Sequence, residues 1–312
     1  MSARARSAAP RRVLRDTGAD TVRGIALVNL CFLLLTLGDV ATVLALPVMG
    51  VVGAMVGRGL VGATLVAGVA SRQPPGLRLL LPVRWRMVMF RSVVHALSSL
   101  TWYIAWSWSI GLADSYAVGY AAPLMMILLA GPMLAERVGW RRGLATGIGF
   151  LGMLVMMRPG GTLWQPAAAL LLCGVAGMSV SRNLTRVLAT TESPECLSFW
   201  LLAAHLPIGV LMLMLHFPVP GINWIVVLCV LALGVSNGLA HWLHSRACAL
   251  APMAALAPFE YVGLIWATVL GYLVFGQVPA GATMAGAALV VAAGLFLFLA
   301  EHRRSRAERA VA

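Results

Sequence analysis

Apolar segments long enough to cross a bilayer follow one another along almost the whole chain. Of its 312 residues, 61% are hydrophobic and only 11% are charged. A stretch of about 20 apolar residues spans the hydrocarbon core as one α-helix. We therefore predict an all-α integral membrane protein with ten transmembrane helices. The predicted spans lie at about 23–44, 48–70, 87–110, 115–135, 143–157, 166–183, 197–216, 223–245, 251–277 and 282–300.

The arginines predict how these spans are oriented. They concentrate at the two ends of the chain and in every second connection between spans. Arg-rich connections stay on the cytoplasmic side of a membrane. We therefore expect both termini in the cytoplasm, with an Arg-rich tail at 1–22 and a second basic tail at 301–312. The net charge of +13 then indicates topology, so we expect no nucleic-acid partner.

An internal repeat divides the spans into two sets of five. The segments 112–136 and 251–277 resemble each other, since small residues and aromatics fill both and a Glu or Gln follows each apolar run. Because five is odd, the second set must enter the membrane from the opposite side. The sequence thus predicts two inverted five-helix repeats, at 23–160 and 161–300, an architecture typical of transporters.

Two carboxylates fall inside predicted spans, where a charge is costly and usually functional. Glu260 lies in span 251–277, on one helical face with small residues, at the depth of Arg91 and His95 in span 87–110. Asp39 lies within reach of Arg58. We expect Glu260 to pair with Arg91 or His95, and Asp39 with Arg58. Either carboxylate could carry a coupling proton, and a static ion pair that fixes helix packing is the equally weighted alternative.

Other polar side chains share helical faces with these charges and predict an aqueous cavity. Arg58 lies on a stripe of small residues, and Asn237 and His241 share a face of span 223–245. Trp102 and Tyr120 could stack a planar ligand or hold a cationic one. The predicted substrate-binding residues are therefore Arg58, Trp102, Tyr120, Asn237, His241 and Glu260. We expect no metal and no cofactor.

Several motifs resemble the EamA-type members of the drug/metabolite transporter superfamily. They are LAD at 112–114, LAERVGWRR at 134–142, GFLG at 149–152 and RPG at 158–160, with APFEY at 257–261 and FGQVP at 275–279 in the second half. Gln277 replaces the family's usual Glu. The pattern is similar to the branch of S-adenosylmethionine uptake carriers. The resemblance implies a ten-helix inverted repeat that carries small organic solutes across the bacterial inner membrane.

These observations predict a secondary transporter that moves a small metabolite by alternating access, with an S-adenosylmethionine-like or amino-acid-derived solute as a candidate. The alternative is a membrane-embedded enzyme acting on a lipid or peptide, with Ser236 or the pair His241 and His244 in the active site. Besides the small-molecule substrate, the expected partners are membrane lipids, and a homodimer is possible.

Overall fold

A computed structural model describes residues 18–108, 110–119, 121–134, 166–218, 221–251 and 262–278, together with Leu256, Phe259, Glu260 and separate residues within 144–155 and 281–299. No β-strand occurs among these residues. The α-helices are α1 (Gly18–Ser71), α2 (Trp85–Ser107), α3 (Leu112–Gly119), α4 (Ala121–Leu134), α5 (Pro166–Leu188), α6 (Pro194–Ala203), α7 (His205–Met214), α8 (Trp224–Leu250) and α9 (Val262–Phe275), and a 3-10 helix lies at Gly76–Leu80.

Helix α1 is a hairpin whose two arms both pack on α8. At Gly50 the backbone leaves the helical region, with φ 63° and ψ 177°, a conformation that only glycine adopts readily. The contacts with α8 and its end are, in chain order, Gly24 with Ala251, Gly38 with Asn237, Gly57 with Val230, and Leu65 with Gly238. The first arm therefore runs antiparallel to α8 and the second arm parallel to it. The predicted spans 23–44 and 48–70 correspond to these two arms.

Among the residues that the structure describes, four helical stretches are long and apolar enough to cross a membrane. They are Val22–Ser71, Pro166–Leu188, Pro194–Met214 and Trp224–Leu250. Helix α2 has a comparable length, but Arg86, Arg91 and His95 make it more polar. The predicted spans 87–110 and 115–135 coincide with α2 and with α3 plus α4. The all-helical membrane architecture is therefore confirmed, and the ten-span inverted repeat stays a prediction.

Some predicted features differ from the structure or lie outside its described part. Glu260 lies in a 3-10 turn just before α9, and not in an α-helix running through 251–277 as expected. Pro258, two residues earlier in the sequence, has no amide hydrogen for a helical hydrogen bond. Tyr120, residues 1–17 and 300–312, and most of the predicted span 143–157 lie outside the described residues.

Small residues let the second arm of α1 approach α8 closely, as is common where helices pack in membranes. A methyl group added at Gly234 would lie 2.3 Å from the Cβ of Val61 and 3.3 Å from the carbonyl oxygen of Gly57. In the same way, the carbonyl oxygen of Gly234 lies 3.2 Å from the position that a Cβ at Gly62 would take. The backbones of the two helices therefore pack directly against each other at Gly234 and Gly62.

We expect Gly234→Ala to lower the stability of the protein by about 1–3 kcal/mol, the usual cost of inserting a methyl group into a packed interior. Gly68→Ala is the matched control, because a Cβ there meets nothing within 4 Å and alanine favours the helix. Thermal unfolding of both variants in one detergent compares them. Equal melting temperatures for the two variants would contradict this close approach.

Candidate functional site

A cavity of about 770 Å³, counted to its open mouth, lies between the helices. Its walls come from α1, α2, α3, α4, α5 and α8, and from Glu260 before α9. The residues that line it are Phe32, Leu35, Asp39, Arg58, His95, Ser99, Trp102, Tyr103, Trp106, Tyr116, Gly119, Ala122, Val175, Met178, Arg182, Asn237, His241 and Glu260.

Arg58 on α1 is the centre of a buried hydrogen-bond network made with neutral groups. Its Nη1 donates to Ser99 Oγ at 3.2 Å and to Tyr103 Oη at 3.1 Å. Its Nη2 lies 2.7 Å from Nε2 of His241 and 3.4 Å from Nε2 of His95. Its Nε has no partner, and no carboxylate forms a salt bridge with it in the described part of the chain. Arg58 is thus a buried cation without an ionic partner there.

The histidines around Arg58 must be neutral for this network to form. A guanidinium only donates hydrogen bonds, so Nε2 of His241 accepts and its proton is on Nδ1. The same reasoning assigns the proton of His95 to Nδ1, which is buried without a partner. The rings of His95 and His241 meet edge to face with centroids 5.0 Å apart. Two helices, α2 and α8, therefore hold Arg58 through imidazole acceptors.

Asp39 has a different partner from the one the sequence suggested. Its Oδ2 accepts a hydrogen bond of 2.6 Å from the hydroxyl of Tyr116 on α3, whose oxygen also lies 3.2 Å from Thr36 Oγ1. The expected direct pair of Asp39 with Arg58 does not form, because Arg58 is turned toward α2 and α8. Asp39 and Arg58 nevertheless line the same cavity.

Glu260 also has a different partner, and the expected pairing with Arg91 or His95 is wrong. Its Oε2 accepts a hydrogen bond from Nη1 of Arg182 on α5, and its Oε1 lies 3.6 Å from Nε2 of His244. Arg91 faces away, donating to Thr185 Oγ1 and to the carbonyl oxygen of Leu197, both at 2.8 Å. The predicted span 166–183 puts Arg182 at its end, beside a basic connection, but this residue lies inside α5. The Glu260–Arg182 pair joins α5 to the segment before α9.

Aromatic rings form one wall of the cavity. Trp102 on α2 meets Trp106 and Tyr116 edge-on, with ring centroids 5.7 and 5.9 Å away. The indole N–H of Trp102 and Oδ1 of Asn237 are both buried, and neither has a hydrogen-bond partner among the described residues. Buried polar atoms are nearly always hydrogen-bonded. The residues of the cavity wall therefore include one donor and one acceptor whose hydrogen-bonding capacity is unused within the described part of the chain.

The cavity brings together most of the residues predicted from the sequence. Arg58, Trp102, Asn237, His241, Glu260 and Asp39 all line it, and their roles stay predictions. Tyr120 lies outside the described residues. Neither Arg182 nor the role of Tyr116 as a partner of Asp39 is predicted by the sequence patterns above. If the predicted span had been extended beyond residue 183, as α5 is in the structure, Arg182 would have been placed inside the membrane.

The apolar helices around a polar, aromatic-walled cavity define a membrane protein with a small-molecule site. No family model matches the chain. A riboflavin transporter of Rhizobium johnstonii is 33% identical over 228 residues, which cover 71% of this chain and 72% of the relative. A riboflavin transporter of Vibrio cholerae serotype O1 is 30% identical over 212 residues, 68% of this chain and 70% of the relative.

A third relative is named for a different substrate. The S-adenosylmethionine uptake transporter of Rickettsia prowazekii is 25% identical over 219 residues, 68% of this chain and 74% of the relative. The chain belongs to this family of metabolite transporters, the EamA-type members of the drug/metabolite transporter superfamily. It is a transporter and not an enzyme, so the alternative of a membrane-embedded enzyme is rejected.

The fold is also that of a solved protein. One crystal structure aligns with this chain at a TM-score of 0.70 and 18% sequence identity. The alignment covers 92% of this chain and 99% of the solved chain. At that identity the likeness supports the fold alone.

Proposed function

We propose that this protein carries riboflavin, or a closely related planar heteroaromatic metabolite, across the bacterial inner membrane. The observation that carries the proposal is the aromatic wall beside unpartnered polar atoms. The rings of Trp102, Trp106 and Tyr116 offer apolar surface for a flat ring system, and the N–H of Trp102 and Oδ1 of Asn237 offer a donor and an acceptor. A flavin ring carries both acceptors and a donor along its edge.

The charges of the cavity favour a neutral or electron-rich solute over a cation. Both carboxylates that line it have partners, since Asp39 accepts from Tyr116 and Glu260 is paired with Arg182. Arg58 is a cation held by neutral groups. The sulfonium of S-adenosylmethionine would therefore enter a site without a free anion among its described residues, whereas the carbonyl oxygens of a flavin could accept from Arg58. The two relatives with 30% and 33% identity are also named riboflavin transporters.

The proposed mechanism is alternating access in a ten-helix inverted repeat with both termini in the cytoplasm. The arginine alternation in the sequence supports the orientation. Opening to one side requires the polar contacts that join the helices across the cavity to separate and re-form. We assign the coupling proton to Glu260 or Asp39, the two carboxylates of the cavity.

Transport into sealed proteoliposomes tests this function. We expect labelled riboflavin to accumulate, and unlabelled riboflavin to compete with it more strongly than S-adenosylmethionine does. Liposomes without the protein give the background. Saturable uptake of S-adenosylmethionine with no uptake of riboflavin would reject the proposed substrate while leaving the chain a transporter.

The aromatic wall has its own test. We expect Trp102→Ala to raise the apparent KM for riboflavin roughly tenfold, because stacking on an aromatic ring contributes about 0.5–1.5 kcal/mol beyond the area buried. Trp108→Ala is the matched control, since Trp108 follows the same helix and is 53% exposed. An unchanged KM for Trp102→Ala, or an equal rise for Trp108→Ala, would contradict stacking at this wall.

A further inference from the structure

A basic and apolar segment connects the second arm of α1 to α2. It comprises residues 72–86 and includes the 3-10 helix Gly76–Leu80. Its exposed large apolar side chains include Leu77, Leu81 and Trp85, which are 57%, 53% and 59% exposed. Its exposed arginines are Arg72, Arg78, Arg84 and Arg86. Large apolar and basic side chains thus follow one another along this segment, and both kinds are exposed.

The segment is fixed to the second half of the chain through its backbone. The carboxylate of Glu192 accepts from the backbone N–H groups of Val83 and Arg84, at 2.9 and 2.7 Å. The hydroxyl of Ser193 donates to the carbonyl oxygen of Leu79, and the indole of Trp200 donates to that of Leu80, each at 2.8 Å. These contacts hold the main chain in place and bury Leu80, while Leu77, Leu81, Trp85 and the arginines stay exposed.

The same contacts leave the arginines without an acidic partner. Both oxygens of Glu192, the carboxylate bound to this segment, are occupied by backbone N–H groups. Within the described part of the chain no salt bridge involves Arg72, Arg78, Arg84 or Arg86. The guanidinium of Arg86 lies 5.6 Å from the ring centroid of Trp85, a basic and aromatic pair typical of the membrane–water interface.

We propose that residues 72–86 bind the headgroups of anionic phospholipids at the cytoplasmic leaflet. Leu77, Leu81 and Trp85 enter the boundary between headgroups and acyl chains, and the arginines extend to the phosphates above them. Basic side chains next to a membrane span are attracted to the negative surface of that leaflet. Because the backbone around residues 79–84 is already held in place, binding a headgroup does not have to order the main chain there.

The test uses the full chain purified in detergent. Phosphatidylglycerol or phosphatidylcholine is added in equal amounts, and retained lipid is counted by native mass spectrometry beside the shift in Tm. We expect wild type to retain at least threefold more phosphatidylglycerol than phosphatidylcholine and to gain a higher Tm from it. Arg78→Gln, Arg84→Gln and Arg86→Gln combined should remove this preference.

Controls separate the lipid site from general effects of charge. Arg23→Gln removes one exposed arginine that already has a partner, since Arg23 lies 4.0 Å from Asp20, and we expect the preference to persist. Replacing the same three arginines with lysine should retain part of the preference for phosphatidylglycerol. This variant tests the proposal even if the triple Gln variant fails to fold. Glycerol 3-phosphate should not raise the Tm.

Equal retention of the two lipids by wild type, or a preference that survives in the triple Gln variant, would overturn the proposal. So would a Tm increase with glycerol 3-phosphate equal to that with the lipid, because the ligand would then be a free phosphate. None of these readouts needs a transported solute, so they are independent of the riboflavin assignment.

Discussion

We expect Arg58→Leu to reduce riboflavin transport about 10- to 100-fold while the protein remains in the membrane. Arg58 is buried in the cavity wall, and its guanidinium holds Ser99, Tyr103 and His241 around the site. A hydrogen bond to a charged group contributes about 1.5–3 kcal/mol. Losing one such bond between Arg58 and the solute corresponds to the expected reduction in transport of about 10- to 100-fold. Initial uptake rates, normalised to the amount of protein in the proteoliposomes, measure it.

Arg58→Lys separates charge from geometry. Lysine keeps the positive charge but lacks the planar fork of donors, so it cannot bind both α2 and α8 and still keep a donor for the solute. Compared with Arg58→Leu, we expect Arg58→Lys to recover part of the affinity for the solute and little of the transport rate. Normal transport by Arg58→Leu would mean that Arg58 only supports the packing of these helices.

The second large effect is expected at Glu260. Glu260→Gln mimics the protonated carboxyl, so uptake driven by a proton gradient should fall to the level seen without a gradient. Exchange of labelled for unlabelled solute should continue, because it needs no net proton movement. Both assays on the same purified protein test whether Glu260 carries the coupling proton. Retained gradient-driven uptake would exclude Glu260 as the proton carrier and leave Asp39 as the other carboxylate among the described lining residues.

The structural alternative for Glu260 predicts a different pattern. Removing one member of a buried ion pair leaves the other charge unpaired, at a typical cost of about 3–5 kcal/mol. Arg182 is the residue left unpaired. The double variant Arg182→Gln with Glu260→Gln removes both charges and should restore stability. If it also restored gradient-driven uptake, the pair would be only structural, whereas a proton site would stay uncoupled.

The sequence predicts the composition of the cavity better than its internal contacts. Polar residues spaced along one helical face, such as Asn237 and His241, have few explanations other than burial against protein or water. For the same reason Arg58, Trp102 and Glu260 can be assigned to one cavity from their positions in the predicted spans. The hydrophobic pattern likewise predicts the positions of α1, α2 and α8 to within a few residues.

Which charged residues pair with each other cannot be predicted from the sequence in the same way. Depth along a span matches Glu260 with Arg91, but depth does not fix the rotation of a helix, and Arg91 points at Thr185 and Leu197 instead. The true partner, Arg182, falls beside a basic connection in the predicted topology, because arginines near a span's end usually belong there. Helix α5 continues to Leu188 and carries Arg182 into the cavity.

The hairpin of α1 has a consequence for how the protein is made. Both of its arms bury small-residue faces against α8, which the ribosome synthesises only after most of the chain has left the exit tunnel. During synthesis those faces must rest against lipid or an insertion factor. Insertion of the first hairpin and its final docking are therefore separate events, since helices enter the bilayer first and associate later. A nascent chain that stops before α8 leaves the surfaces around Gly38 and Gly57 unburied and open to quality-control proteases.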